Sequence, residues 1–224
     1  MSSRTPRLGL MVPSSNTVME ADLNRELSAL CSVHTARMYM VETTRDAELA
    51  MVEKYAPEAA RDLGTLRPDL VVFGCTSAGS LFGAAYDTEV CTKLGKIANA
   101  PTLGVLTAVG QELDATPGRR LAVITPYVDD LTNSVARAAE SSTRHVVAAV
   151  GMGISDNVML SEPTPAEIVE FSRKSLAGVD FDLLLVSCTN FRALEAKAML
   201  EQEFAVPVVT SNSAVVASIR RSLS

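Results

Sequence analysis

The chain contains two copies of one pattern, a short apolar run that ends in a small residue followed by cysteine and threonine. The cysteine of the first copy is Cys75, and that of the second copy is Cys188. An earlier apolar run precedes each copy and stops at Pro13 or Pro126, and the distance from proline to cysteine is 62 residues in both halves (75 − 13 and 188 − 126). This repeat predicts an old internal duplication that places two thiols face to face across a pseudo-twofold cleft.

Composition argues against several classes of function. The 224 residues have a formal net charge of −6 and no basic cluster, so we expect no nucleic-acid partner and no anionic membrane surface. The sequence shows neither the roughly 18–20 apolar residues of a spanning helix nor the pattern of a secretory signal. Four cysteines are too few for a disulfide scaffold. We therefore expect a cytoplasmic protein with four free thiols.

Strand-like and helix-like segments alternate along the chain, which is typical of α/β proteins with parallel sheets. The predicted strands are residues 8–12, 33–39, 70–73, 102–106, 121–124, 145–151, 183–186 and 206–209. The predicted helices are residues 16–30, 47–66 with a bend near Pro57, 87–98, 107–113, 128–140, 165–176, 192–202 and 213–222. A Thr-Pro-Gly-Arg turn at 116–119 is the best boundary between lobes. We expect one lobe of residues 1–115 with 211–224, and another of residues 116–210.

Polar residues follow several predicted strands, where parallel sheets bind their ligands. They are Ser14, Ser15, Asn16, Cys75, Thr76, Ser77, Tyr127, Asp156, Asn157, Cys188 and Thr189. One cleft could hold them all, and their hydroxyl and amide groups are uncharged donors that suit a small carboxylate. Structural alternatives stay open, because Asn16 is also suited to cap a helix and Tyr127 to begin one.

The cysteines fall into two groups. Cys31 and Cys91 are expected to be inert, buried thiols. Cys75 and Cys188 each follow a strand and precede a polar turn and a helix, where backbone N–H groups can stabilise a thiolate. Their duplicated spacing favours a functional role for both.

Other chemistries find little support in the sequence. The two histidines, His34 and His145, lie inside predicted strands, which argues against a zinc site and against histidine-dependent hydrolases. The Gly-Met-Gly segment at 151–153 has Asp156 where a dinucleotide-binding loop would need its third glycine. We therefore expect no metal and no nucleotide.

Five segments together resemble the aspartate/glutamate racemase superfamily, in the branch of maleate cis–trans isomerase and arylmalonate decarboxylase. They are VPSSNT at 12–17, GCTS at 74–77, TPY at 125–127, GISDN at 153–157 and SCT at 187–189. The resemblance spans nearly the whole chain. It implies two pseudo-twofold-related lobes, each a parallel sheet flanked by helices, with the active site in the cleft between them. It also implies an enzyme without a cofactor, and a homodimer or larger homo-oligomer.

The resemblance further implies the roles of individual residues. Cys75 would be the nucleophile or base and Cys188 the opposing acid. Substrate carboxylates would be held by Asn16, Tyr127 and Asn157, with help from Ser15, Thr76, Ser77 and Thr189. The arylmalonate decarboxylase pattern has glycine at the first-cysteine position, so decarboxylation is disfavoured.

The leading hypothesis is a cofactor-independent isomerase of maleate or a related small dicarboxylate. One alternative is a two-cysteine racemase of an acidic amino acid or related carboxylate, which needs the same pair of thiols. Residues 189–192 also resemble relatives associated with ectoine breakdown, and Arg192 is either an anion-binding or a surface residue. A non-catalytic carboxylate-binding protein is the alternative outside enzymes. The sequence shows no clear carboxylate partner for a substrate amine, which favours the isomerase.

Overall fold

The duplication predicted from the sequence is visible in the sheets. Within residues 4–42 and 44–223, which the computed structural model describes, eight strands form two parallel four-stranded sheets. The first sheet has the order β2-β1-β3-β4, with β1 Arg7–Pro13, β2 Ser32–Met38, β3 Leu70–Phe73 and β4 Thr102–Gly104. The second has the order β6-β5-β7-β8, with β5 Arg120–Thr125, β6 His145–Gly151, β7 Leu183–Val186 and β8 Val208–Thr210.

The strand register repeats as closely as the strand order. Leu8 of β1 pairs with Leu70 of β3, and Leu121 of β5 pairs with Leu183 of β7. Both pairs are separated by 62 residues, which is also the distance from proline to cysteine in each half. The two halves therefore deliver Cys75 and Cys188 from equivalent strands at equivalent heights.

Helices connect the strands and cover the sheets. They are α1 Met19–Leu27, α2 Arg45–Ala50, α3 Ala56–Gly64, α4 Thr76–Phe82, α5 Ala84–Ala98, α6 Val105–Ala115, α7 Asp129–Ala139, α8 Pro165–Ser175, α9 Ala193–Phe204 and α10 Ser211–Leu223. A π-helical turn, Met51–Tyr55, joins α2 to α3, and a 3-10 turn spans Met159–Ser161. Among the described residues, none of these helices combines the length and apolar character needed to cross a bilayer.

Burial explains why the strands were predictable. The strands β3 and β7 are buried along their whole length, because helices cover both faces of each sheet. Such strands consist of continuous apolar runs. The helix α10 packs against α1 and α6 and also against α9. The lobe boundaries at 115/116 and 210/211 stay a prediction.

Several predicted helix bounds were wrong, each for a local reason. The helix predicted from residue 16 begins at Met19, since the Asn16 side chain instead accepts hydrogen bonds from the N–H groups of Val18 and Met19. The helix predicted over 47–66 runs instead over 45–64, and at the bend predicted near Pro57 the structure has a π-helical turn just before that residue, which lies in the first turn of α3. Pro57 has no N–H to donate to the preceding turn, and the N–H of Ala56 just before it donates to the Met51 carbonyl, five residues back.

The helix α4 was missed altogether. Its sequence is rich in small and polar residues, so local propensity gave no helical signal. Packing explains the small residues: a Cβ at Gly79 would lie 3.0 Å from an Asp87 oxygen and 3.1 Å from Leu106 Cβ. The strand predicted over 102–106 ends earlier, at Gly104, because α6 already begins at Val105.

Candidate active site

Both cysteines lie where a buried strand gives way to a loop. Gly74 separates β3 from Cys75, and its N–H donates to the Met11 carbonyl at 2.7 Å. A Cβ at Gly74 would lie 2.7 Å from that same carbonyl oxygen, so a larger residue would push the strand apart. In the second half the N–H of Ser187, just before Cys188, donates to the Ile124 carbonyl at 2.9 Å. The backbone is therefore anchored in the same way before each thiol.

The two cysteine loops are hydrogen-bonded to each other. The Thr189 hydroxyl donates to the Gly74 carbonyl at 3.1 Å and accepts from the Asn16 amide at 3.2 Å. A second connection runs through Ser211, whose hydroxyl lies 3.4 Å from the Thr76 hydroxyl and 3.2 Å from the Ser187 hydroxyl. The residues on both sides of the two cysteines thus belong to one buried polar network.

Asn190 holds the same region together and was not predicted as a site residue. Its side-chain oxygen accepts from the Thr17 N–H at 2.8 Å, and its amide nitrogen donates to the Asn157 carbonyl at 2.7 Å. Its own N–H lies 3.2 Å from Cys188 Sγ. The unusual polarity of residues 189–192 was the available signal. Arg192, in contrast, lies at the surface and forms an ion pair with Glu195.

A buried carboxyl group faces Cys75. The thiol of Cys75, which is 1% exposed, donates to Glu48 Oε2 at 3.4 Å and lies 3.3 Å from the Ser77 hydroxyl. Ser77 in turn hydrogen-bonds the other carboxyl oxygen of Glu48. Burial raises the pKa of Glu48 to about 7, although the hydrogen bonds from Ser77 and Cys75 oppose the shift. The carboxyl group is therefore poised to gain or lose a proton near neutral pH.

Glu48 was missed by the sequence analysis, although a signal for it existed. It lies on the same helical face as Met51 and Val52, three and four positions later, and all three side chains are buried. An acidic residue inside an apolar stripe is rarely left without a partner. Here its partners come from the Cys75 loop.

A phenol and a backbone N–H face Cys188. Burial raises the pKa of Cys188 to about 12, while hydrogen bonds from the Tyr127 phenol and the Asn190 N–H lower it. Burial also raises the pKa of Tyr127 well above its usual value, and the charges of Cys188, Cys75 and Glu48 add to this effect. Tyr127 therefore lies within electrostatic reach of both sulfurs, and Cys188 is a thiol at neutral pH.

The pKa of Cys75 is also raised well above its usual value. Burial is the main cause and the negative charge of Glu48 the second, whereas hydrogen bonds from Ser77 and the Ala78 N–H act in the opposite direction. Cys75 is therefore protonated in the resting protein. A role as nucleophile requires a group that removes its proton.

A cleft of about 840 Å³ lies at the carboxyl ends of the strands. Its lining residues follow β1, β2, β5 and β6 and include Ser15 and Tyr127. Neither sulfur lines it, since Cys75 and Cys188 are 1% and 3% exposed. An antiparallel bridge between Glu42 and Asp156 joins the two halves at the rim. Tyr127 both lines the cleft and hydrogen-bonds Cys188.

The other predicted substrate-binding residues lie around the same two loops, and several have protein partners. The Asn157 amide hydrogen-bonds the Ser15 hydroxyl, which also donates to the Met40 carbonyl at 3.2 Å. The Asn16 side chain accepts the N–H groups of Val18 and Met19 at the start of α1, in line with the structural alternative, and its amide donates to Thr189. The structure brings all nine predicted site residues together, and substrate binding by them stays a prediction.

In the part of the chain that the structure describes, no group of three or more His, Cys, Asp and Glu residues could hold a metal ion. His34 lies inside β2 and hydrogen-bonds Ser32, and His145 begins β6. Four titratable groups interact in the candidate site, namely the two thiols, the Glu48 carboxyl and the Tyr127 phenol.

Comparison with known proteins places this site in a family. A model described as "Arylmalonate decarboxylase" matches residues 8–224. A maleate isomerase from Geobacillus stearothermophilus is 25% identical over 230 residues, covering 97% of this chain and 91% of that protein. An arylmalonate decarboxylase from Bordetella bronchiseptica is 26% identical over 211 residues, covering 94% and 87%.

The fold agrees with these relatives. A structure of Nocardia farcinica maleate cis-trans isomerase bound to TRIS superposes with a TM-score of 0.89 at 25% identity, covering 97% of this chain and 92% of that one. The two parallel sheets flanked by helices are the racemase-like architecture that the sequence resemblance implied. The chain therefore belongs to the arylmalonate decarboxylase family of enzymes, in the branch of the aspartate/glutamate racemase superfamily that includes the maleate isomerases.

Proposed function

We propose that this protein is a cofactor-independent cis–trans isomerase of maleate or a closely related small cis-dicarboxylate. Cys75 is the nucleophile in this proposal, and Cys188 is the acid. The similarity to several maleate isomerases supports the reaction class. The presence of both thiols supports it further, since the decarboxylase pattern has glycine at the first-cysteine position.

One observation carries the proposal, namely the hydrogen bond between Thr189 and the Gly74 carbonyl. It joins the residue after Cys188 to the residue before Cys75, so the two thiol loops are held side by side. The effect of both sulfurs on the pKa of Tyr127 supports a single site. A small substrate bound there would lie within reach of both thiols.

The reaction follows from the two sulfurs. The Cys75 thiolate adds to one alkene carbon and forms a C–S bond, and the π electrons move to the neighbouring carbon, which takes the proton of Cys188. Rotation about the resulting single bond brings the carboxylates to opposite sides. The Cys188 thiolate then removes the proton, the C–S bond breaks, and the double bond re-forms as trans.

The substrate carboxylates are held by uncharged donors in this proposal. Tyr127 and Ser15 line the cleft, and Asn16 and Asn157 are bonded to the loops beside them. Thr76, Ser77 and Thr189 add the backbone N–H groups that follow each cysteine. Such donors bind a carboxylate through charge-assisted hydrogen bonds.

The test is conversion of maleate to fumarate by the purified protein, followed by proton NMR of the alkene signals. We expect Cys75→Ser and Cys188→Ser each to lower turnover by at least about 10³-fold, because each removes a reacting group. Cys31→Ser and Cys91→Ser are matched controls, since both replace buried free thiols outside the site. Full activity in the Cys75→Ser variant would contradict the mechanism.

Glu48 favours one second candidate, a two-cysteine racemase of an acidic amino acid. A substrate amine needs a carboxylate partner, and Glu48 is a buried carboxyl group beside Cys75. The discriminating measurement is incubation of aspartate and glutamate in deuterated water. Deuterium at the α-carbon with loss of optical rotation, and no fumarate from maleate, would select the racemase.

A further inference from the structure

We propose that Glu48 is the proton acceptor of Cys75: its carboxylate takes the thiol proton as the sulfur attacks and returns it when the sulfur leaves. The proposal rests on the proposed function in one respect, that Cys75 is the nucleophile. It assigns a catalytic role to a residue that lies outside every motif recognised in the sequence.

The geometry of the three side chains supports direct proton transfer. The Cys75 thiol donates to Glu48 Oε2 at 3.4 Å, and Ser77 contacts both the sulfur and the other carboxyl oxygen. Glu48 is fully buried, and its N–H donates to the Thr44 carbonyl at 2.9 Å, which holds it in the first turn of α2. The carboxyl group therefore has a fixed position against the thiol.

The charges around Glu48 favour its protonation. The titratable groups that interact with it are Cys75 from the β3–α4 junction, and Tyr127 and Cys188 from the second half. Among the described residues, no cation contributes to the pKa shift of Glu48. A buried carboxylate without a cation is costly, and moving the thiol proton onto it transfers the negative charge to sulfur.

The pair then behaves as one unit with a single shared proton near neutral pH. In one state Glu48 is ionised and Cys75 is a thiol, and in the other Glu48 is protonated and Cys75 is a thiolate. During addition the S–H bond breaks, the O–H bond forms on Glu48, and the thiolate electron pair forms the C–S bond. Elimination reverses each of these changes, so protons and electrons balance over the cycle.

The test is the pH dependence of Cys75 alkylation by iodoacetamide in the free protein, with peptide mass spectrometry to separate Cys75 from the other cysteines. For the wild type we expect the logarithm of the rate to rise with pH, to bend near pH 7, and then to level off. The bend marks ionisation of Glu48, above which the shared proton sets a constant thiolate fraction. In Glu48→Gln we expect no bend, and a rate that rises steadily into the alkaline range.

Glu53→Gln is the matched control, because it is the same substitution at an exposed position five residues further along the chain. Glu48→Asp retains a carboxylate and should restore the bend, although with lower activity. A structural role alone would leave the profile of Glu48→Gln unchanged, and a wild-type profile without a bend near pH 7 would also overturn the proposal. With maleate as substrate, we expect Glu48→Gln to lower kcat by about 10²-fold.

The two proposals can fail separately, since alkylation needs no substrate. A bend that depends on Glu48 in a protein that does not isomerise maleate would retain the proton acceptor and reject the substrate. If the protein isomerises maleate but Glu48→Gln leaves the pH profile of alkylation unchanged, the substrate is retained and the proton acceptor is rejected.

Discussion

The two thiol sites lie at equivalent places in a duplicated fold, yet their surroundings differ. Cys75 faces a carboxyl group, Glu48, which accepts a hydrogen bond from the thiol, whereas Cys188 faces a phenol, Tyr127, which donates a hydrogen bond to the sulfur. Both thiols have raised pKa values because both are buried. In our proposals Cys75 gives its proton to Glu48, and Cys188 gives its proton to the substrate. The partner of each thiol, rather than its burial, therefore distinguishes the two sulfurs.

The repeat itself shows where the halves diverged. Equivalent residues are 113 positions apart (188 − 75), so the counterpart of Glu48 is Ser161 and that of Tyr127 is Ser14. Ser161 has no carboxyl group, and Ser14 has no phenol. The sheets retained the duplication, while the side chains that face the sulfurs did not.

The largest effect is expected at the sulfurs themselves. If only Cys75 forms a covalent bond, Cys188→Ser incubated with maleate should retain a protein adduct on Cys75, and Cys75→Ser should form none. Both variants should lose at least about 10³-fold in turnover. Intact-protein and peptide mass spectrometry report the adduct. An adduct on Cys188 in the Cys75→Ser variant would show that the two sulfurs are interchangeable.

The next effect concerns how the free energy of unfolding depends on pH through Glu48. The pKa of Glu48 is about 7 in the folded protein and near 4.5 when unfolded, so the folded state binds more protons between these values. Stability therefore falls as pH rises from about 4.5 to about 7, by about 3 kcal/mol in total. Glu48→Gln should lack this loss.

Urea unfolding at pH 5 and pH 8 measures the difference. Relative to wild type, Glu48→Gln should gain about 2.5 kcal/mol between the two pH values, whereas Glu53→Gln should follow the wild type. Equal pH dependence in wild type and Glu48→Gln would mean that the carboxyl group has an ordinary pKa.

A smaller effect is expected on the Cys188 side. Cys188 becomes a thiolate after it gives up its proton, and the Tyr127 phenol stabilises that thiolate. Tyr127→Phe should lower kcat for maleate by about 10- to 100-fold, the value of a hydrogen bond to a charged group. Tyr39→Phe, at a residue that is 59% exposed, is the control. An unchanged kcat in Tyr127→Phe would show that the phenol does not stabilise the Cys188 thiolate during the reaction.

The smallest effect is expected at two aspartates that lie at equivalent positions in the two halves. The effect should be equal in both halves, because the duplication preserved this pair. Asp69 accepts the Arg7 N–H at 2.8 Å, and Asp182 accepts the Arg120 N–H at 2.8 Å. These bonds lower the pKa of both carboxyl groups, so their contribution is present above about pH 4 and is lost as pH falls. Asp69→Asn and Asp182→Asn should each cost about 1 kcal/mol at pH 7 in urea unfolding. Unequal costs would show that the frameworks have diverged as well.

The sheets could be predicted well because parallel strands that are buried on both faces consist of continuous apolar runs. Continuous apolar runs marked β3 and β7, and the repeated distance to a proline placed both cysteines at strand ends. The repeat predicted two thiols facing each other across a cleft, which stays a prediction, and the hydrogen bond of Thr189 to Gly74 joins the two loops that carry them.

Contacts distant in sequence were the part that could not be predicted. Glu48 is 27 positions from Cys75, and only the fold brings the carboxyl group to the thiol. The helix α4 has too weak a local propensity to be recognised, and its Gly79 packs closely against Asp87 and Leu106, which lie beyond the helix in the sequence. Asn190 connects Thr17 and Asn157 across the molecule, which no local pattern encodes.

The position of Ser211 has a consequence for how the two halves depend on each other. This residue begins α10, and its hydroxyl touches the residues flanking both cysteines, Thr76 and Ser187. A displacement of the start of α10 would therefore disturb both thiol loops at once. One hydroxyl group on a third element thus couples the alignment of the two sulfurs.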